Sequence, residues 1–378
     1  MTTLAFAAMP IACGAGTTAV TSSPVSPAAA AGSCAGVAHA ELVAVTRRIY
    51  DQAAHGANAV SAVRRLARSS SLARAVAARD PRAVRATLAP LLKHQITRIE
   101  VTAGTRMLAR LGSAPAYAPV SGSIRSGGRI VGRYVLAVSD DRAFAGLAHS
   151  LTGATVRFAR GPVSGASFAA TRFPSGRATI SLAPGRLSSS LCGPTAADTR
   201  LNTIGYVARN VMRDEASGSA VARTLHHAAV DPAFRSAVAA GDPAAVRAAI
   251  VGLFRDNRFH IVRVRAWRGT RLINDVGGPY VLSPATGAIS GPGGASAGRF
   301  MLSIQDDTGF IKLIHRFTGA DVVLRTSSGT VPGSTLSPGP PFVPGLGTVA
   351  YRGVTYRSYG FTGTAFPSGR LEVTLLVR

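Results

Sequence analysis

The amino-acid sequence predicts an α+β protein built from two tandem copies of one domain, each with helices first and a mostly antiparallel sheet after them. Three observations carry this. Residues 135–156, VLAVSDDRAFAGLAHSLTGATV, return as residues 301–322, MLSIQDDTGFIKLIHRFTGADV, with Asp140 and Asp306, His149 and His315, and Gly153 and Gly319 all offset by 166. So long a period marks duplication of a whole domain rather than a solenoid of short units. The chain of 378 residues, 47% hydrophobic, suits two domains with a core each. In both copies, helical spacing of apolar residues gives way to strand alternation. A residue kept in both copies is the better candidate for a role in the fold, and one present in a single copy for function.

Residues 1–33 stand outside this pattern. A short apolar run at 4–12 ends at Cys13, and GAGTTAVTSSPVSPAAAAGS follows. Such a small-residue stretch cannot build a core and predicts a flexible tether. The run resembles the tail of a bacterial lipoprotein export signal, which makes Cys13 the expected lipidation site and the protein extracytoplasmic, secreted or lipid-anchored. Beyond Cys13 the only cysteines are Cys34 and Cys192, each just before the first long helix of its copy. If the copies pack side by side, the two can join as a disulfide outside the cytoplasm. Two unpaired, small apolar residues are the alternative.

Copy one is expected over residues 34–184, a linker over 185–202, and copy two over 203–378. The first helix spans residues 42–67, with Val45, Ile49, Ala53, Val60, Val63 and Leu66 on its apolar side and Gly56 as a bend or break. Residues 201–227 match it. A short helix follows at 71–78 and at 232–240. Asp80-Pro81 and Asp242-Pro243 then start another, since Asp accepts bonds from free amides and Pro is tolerated at the first helical position. Strands come next. ITRIEV at 96–101 and IVRVRA at 261–266 alternate apolar and charged residues. Turns at Ala103-Gly104 and Arg268-Gly269 lead into second strands at 106–111 and 271–276. After a Pro- and Tyr-containing loop come two more strands. Asp140 and Asp306 cap a helix that stops at Gly153 or Gly319. The repeated FPSGR is a turn between the last strands. Residues 331–347 occur only in copy two and predict a surface loop or hairpin.

The run ITRIEVTAGTRMLARLG, then PVSGSI, GRYVLAVSDDRAF and LTGATV, repeated as IVRVRAWRGTRLINDVG, GRFMLSIQDDTGF and FTGADV, resembles the Cache family of bacterial extracytoplasmic sensor domains. The resemblance implies a long N-terminal helix, a PAS-like central sheet and a small ligand held on that sheet under loops. It also implies a membrane-anchored signalling partner.

Formal net charge is +25, and all but two of the 42 basic residues are arginine. Such a surface attracts anions. The basic residues are scattered rather than gathered in an aromatic-interleaved stripe, so no nucleic acid is expected as partner. A strand-linked GxGxxG and a phosphate-loop lysine are both missing, so neither an enzyme nor a cofactor is expected. His226-His227 has no neighbouring Cys or carboxylate in sequence, so no metal is expected. The candidate ligand-binding residues are Arg98 and Arg263 on the first strands, Arg106 and Arg271 after the turns, and Tyr117 and Tyr280 in the Pro-containing loops. Trp267 and Asn274 join them, because they replace Thr102 and Ala109 in copy two. Arginine grips a carboxylate with two parallel bonds, which points to an acidic small molecule. Solvated strand arginines and sheet-covering tyrosines are the plain alternative. A basic envelope protein that binds anionic polymer or lipid headgroups is the competing function.

Overall fold

A computed structural model describes residues 33–92, 96–112, 115–183, 186–256, 259–279, 281–291 and 294–378. Cys13, the tether up to residue 32, and Tyr280 lie outside the described residues.

In copy one, α1 (Cys34–His55) starts at Ser33, whose hydroxyl accepts the Gly36 amide at 3.1 Å. Of the bend or break expected at Gly56, the structure has the break: Gly56 ends α1 and leads α2 (Ala57–Arg68). After α3 (Ser70–Ala77), Asp80 caps α4 (Pro81–Leu92) by accepting the Arg82 and Ala83 amides. There follow β1 (Arg98–Ala103), β2 (Arg106–Gly112), β3 (Ala116–Tyr117), β4 (Val120–Ser126), β5 (Arg129–Ala137) and β6 (Ser139–Asp140). The copy closes with α5 (Asp141–Thr152), β7 (Val156–Ala159), β8 (Ser167–Phe173) and β9 (Gly176–Leu182). The stretch expected as linker holds α6 (Arg186–Ser190) and the start of α7 (Ala196–Ser217). A reciprocal capping box between Thr195 and Asp198 explains that early start.

Copy two repeats the order: α8 (Ser219–Val230), α9 (Pro232–Ala240), α10 (Pro243–Arg255), β10 (Arg263–Arg268), β11 (Arg271–Gly277), β12 (Val281–Leu282), β13 (Ala285–Ser290), β14 (Ser296–Ser303) and β15 (Gln305–Asp306). It ends with α11 (Asp307–Thr318), β16 (Asp321–Thr326), β17 (Gly329–Thr330), β18 (Gly345–Tyr351), β19 (Val354–Thr364) and β20 (Arg370–Val377).

The sequence suggests one sheet per copy, but each copy divides its main strands between two. Copy one forms β2-β1-β5-β4 and β6-β3-β8-β9-β7, and copy two forms β11-β10-β14-β13 and β17-β16-β20-β19-β18. The chain changes sheet at matching points. Ala118 and Ser283 have φ of 50° and 52°. That conformation is uncommon without glycine, and at both places it turns the backbone out of the short strand.

The four-stranded sheets carry separate cores. Helices α2–α4 cover one with Leu72, Val76, Val84 and Leu88 against Ile99, Val101 and Leu136. Helices α8–α10 cover the other with Val221, Phe234, Val238 and Ile250 against Val264, Phe300 and Leu302. The five-stranded sheets share a third core with both long helices. It unites Leu42, Val45 and Ile49 of α1 with Leu201, Val207 and Val211 of α7, and Phe144 with Phe310. Helices α1 and α5 pack on one sheet, α7 and α11 on the other, and the four pack on each other. A Cβ at Gly205 would meet the Tyr359 ring at 2.4 Å, so α7 reaches β19 only as glycine there. Two bonds cross between copies at equivalent places. Arg48 of α1 donates to the Phe317 carbonyl at 3.0 Å, and Asn210 of α7 donates to the Leu151 carbonyl at 2.8 Å. Each satisfies the open C-terminal end of the other copy's inserted helix. Cys34 and Cys192 are joined as a disulfide, Cα atoms 5.5 Å apart. Residues 331–344 cover the outer face of the copy-two sheet, where Leu336 and Val343 pack on Val323, Tyr356 and Leu376.

Candidate functional site

The residues kept in both copies serve the fold. Arg98 and Arg263 reach from the four-stranded sheet to the FPSGR turn of the five-stranded one. Their guanidinium groups lie 4.8 Å from the Phe173 ring and 5.0 Å from the Phe366 ring. Arg98 is 4% exposed. Each arginine also has an acid, placed on opposite strands in the two copies. Glu100 on β1 takes Arg98 at 3.0 Å and Arg110 of β2 at 2.6 Å. In copy two the acid is Asp275 on β11, which takes Arg263 at 2.7 Å and Arg265 of β10 at 2.6 Å. Glu100 faces Arg110 in the register just as Arg265 faces Asp275, so the pair has exchanged ends. Burial works against the Asp275 carboxylate, but the hydrogen bonds from both arginines outweigh it and hold its pKa below the ordinary carboxylate range.

The other sequence candidates are also spread out. Arg271 donates to the Gly241 carbonyl at 2.8 Å and Asn274 to the Pro243 carbonyl at 2.8 Å, so both fasten β11 to the helices behind it. Trp267 lies under the Arg299 guanidinium at 5.3 Å. Arg106 is exposed at the hairpin end. None of these six lines any of the grooves described below. His149 and His315 each bond a carbonyl past the helix end, Ala154 at 3.3 Å and Ala320 at 2.9 Å. His227 does have a carboxylate neighbour, contrary to the sequence reading: Asp256 is 3.3 Å away, brought by the end of α10.

Tyr117 leads to a different constellation, present in copy one alone. It is fully buried, its ring 4.7 Å from Phe158 and 5.3 Å from Phe144, and its hydroxyl has no partner. Burial, then the nearby Asp141 charge, push this phenol well above its usual pKa. Asp141, at the start of α5, accepts Arg172 Nη2 at 2.6 Å and Nε at 3.2 Å on one oxygen, while its other oxygen is buried without a partner. Tyr50 of α1 packs edge-on against Phe144 and Phe168, and its hydroxyl accepts the Thr171 amide at 2.8 Å. The matching residues in copy two are Met212 for Tyr50, Leu282 for Tyr117 and Ala365 for Arg172. Asp307, left without that arginine, is raised in pKa by burial.

Tyr50 forms one wall of a groove of about 670 Å³ that runs beside β8. Phe168, Ala169 and Ala170 line it, with Arg160 and Arg177 at its rim. Both arginines are exposed, and among the described residues neither makes an ion pair or hydrogen bond. The equivalent groove of copy two is about 330 Å³, between Met212 and Phe361, and its Arg209 is engaged by the Tyr359 hydroxyl. The copy-one groove thus combines aromatic walls with two uncommitted guanidinium groups. That is a setting for a molecule with a carboxylate and an apolar body.

Sequence reasoning missed Tyr50, Arg160, Arg172 and Arg177. The signal was present for two of them: comparing the copies at the helix offset of 162 sets Tyr50 against Met212, and alignment on FPSGR sets Arg172 against Ala365.

No family model, no curated protein and no solved structure matches the chain.

Proposed function

We propose that the chain is an extracytoplasmic small-molecule-binding protein of tandem Cache-like, PAS-like character, and that it holds an acidic metabolite in the copy-one groove without transforming it. The observation that carries this reading is the pair of uncommitted arginines, Arg160 and Arg177, over a Tyr50 that copy two replaces by Met212. The disulfide favours an oxidising compartment. Among the described residues no helix is long and apolar enough to cross a membrane, so lipidation at Cys13 would supply the attachment. A ligand pressing on Tyr50 acts on α1, which is bonded to α11 through Arg48. That link offers a route from occupancy to the relative pose of the two copies, and from there to a membrane-anchored signalling partner.

A thermal-shift screen of organic acids and amino acids tests the proposal. A ligand at 100 times its Kd adds about 2.7 kcal/mol to native-state stability. We expect at least one acid to raise Tm, and the Arg160→Ala/Arg177→Ala variant to lose that rise. A panel that leaves Tm unmoved would remove the proposal's support. The net charge of +25 favours a second reading, a basic envelope protein that binds anionic polymer or lipid headgroups. Binding of that kind weakens steeply with salt and survives the double substitution.

A further inference from the structure

We propose that the natural ligand of this groove is a short acidic peptide that adds to β8 as an extra strand; this rests on the reading of the groove as a binding site and narrows its ligand to one class. Strand β9 pairs along one edge of β8 from Ser167 to Arg172. On the other edge β3 covers only Arg172 and Phe173. One residue further, the Ala118 amide still reaches the Thr171 carbonyl at 3.3 Å, and then the chain leaves through Pro119 into β4. The outward Thr171 amide is met by the Tyr50 hydroxyl, where a neighbouring strand would have placed a carbonyl.

Backbone groups on a strand point to alternate edges, two residues apart. Since Thr171 directs its amide and carbonyl away from β9, Ala169 and Ser167 do so too, and the pairing with β9 has no register shift between them. Among the described residues nothing bonds the outward groups of Ser167 and Ala169. The groove takes in this edge, lined by Ser167 to Thr171, and extends over the β8–β9 pair to Arg177, Ala178 and Thr179. An open edge of this kind invites another strand. Copy two covers the adjoining part of its own edge with β18, which pairs with β19 from Val354 to Gly360 and follows the insertion that copy one lacks. At about 3.3 Å per residue the free edge, Ser167 to Ala170, pairs with roughly four residues of a peptide. Main-chain bonds would supply affinity and side-chain sites selectivity. Arg160 and Arg177 fix the sign of the side chains, and Ala169, Ala170 and Ala178 leave room for them.

Fluorescence anisotropy with a labelled pentapeptide alternating glutamate and valine tests this, beside a copy with N-methylated backbone amides and beside glutarate as a free diacid. The expected result is saturable binding of the plain peptide. N-methylation, Ala169→Pro and Arg160→Ala/Arg177→Ala should each weaken it at least tenfold. Proline is tolerated on an edge whose amide faces away from the sheet, and circular dichroism checks that the variant folds; the N-methylated peptide asks the same question of the unaltered protein. Equal binding of the plain and N-methylated peptides would overturn strand addition. If glutarate raises Tm equally in the wild type and in Ala169→Pro while the peptide does not bind, the peptide assignment fails and the small-molecule reading stands. If the peptide does not bind and no acid of the thermal-shift panel raises Tm, both fall.

Discussion

Replacing Glu215 by glutamine removes a carboxylate that the fold holds in a poor environment. Glu215 lies near the end of α7, half-buried, where α1 has Ala53. Among the described residues no cation pairs with it. Burial first, and the Asp214 charge second, lift it from the ordinary 4.5 to about 7. Between those values the folded chain holds a proton that the unfolded chain has released. Stability therefore falls as pH rises through this window, and the whole penalty is present above the folded value. The displacement corresponds to about 3 kcal/mol at most, and solvent reaching the half-buried side chain reduces it to ~1–3 kcal/mol. Glutamine keeps the shape and carries no charge. Urea denaturation should show Glu215→Gln more stable than the wild type by ~1–3 kcal/mol at pH 8, and within about 0.5 kcal/mol of it at pH 4.5. A variant that is less stable at pH 8, or a difference that does not change between the two pH values, would refute the reasoning.

Two further outcomes follow from the packing. Tyr117→Phe deletes a buried hydroxyl that has no partner. Leaving such a group unpaired costs about 1–3 kcal/mol, so the phenylalanine variant should match or exceed wild-type stability in thermal denaturation; a loss above about 1 kcal/mol would mean the hydroxyl is bonded. The Cys34–Cys192 disulfide closes a loop of 158 residues. Loop-closure entropy alone assigns it up to about 5 kcal/mol, so Cys34→Ser should lower Tm strongly, and a reducing agent should lower the wild-type Tm but not that of the variant.

What the sequence discloses here is local, and what it conceals is the pairing of distant parts. Asp242-Pro243 starts a helix in the structure as in the sequence, and α9 spans the expected 232–240, because an Asp cap followed by proline is decided within one turn. Gly153 and Gly319 stop their helices at φ of 67° and 76°, a conformation that glycine adopts freely. Strand alternation tells which residues share a face but not which sheet the strand joins, so the division of each copy into two sheets was hidden. The shared central core was hidden for the same reason: Ile49 and Val207 are apolar on helical spacing whether they meet each other or not. The strand arginines drew attention as ligand contacts, yet their acids sit across the hairpin, as Glu100 does for Arg110 and Asp275 for Arg265. Only the register shows that these charges are already taken. Residues 331–347 look like a surface excursion because Pro and Gly dominate, but Leu336 and Val343 make part of the stretch a cover for the sheet. The copy-one groove follows from the duplication rule, that residues present in one copy point to function. Applying it demands the correct local offset, which shifts from 162 in the N-terminal helices through 166 at the inserted helix to 193 at FPSGR.

The central claim is that the copy-one groove, not its smaller counterpart, is where a ligand sits. Calorimetric titration of whichever acid or acidic peptide raises Tm, compared between Arg160→Ala/Arg177→Ala and Arg209→Ala/Arg213→Ala, the latter two arginines lining the smaller groove, tests it most directly. The account predicts that the first variant loses binding and that the second keeps it within about twofold, less than 0.5 kcal/mol. Binding that survives the first pair of substitutions and is lost with the second would contradict it.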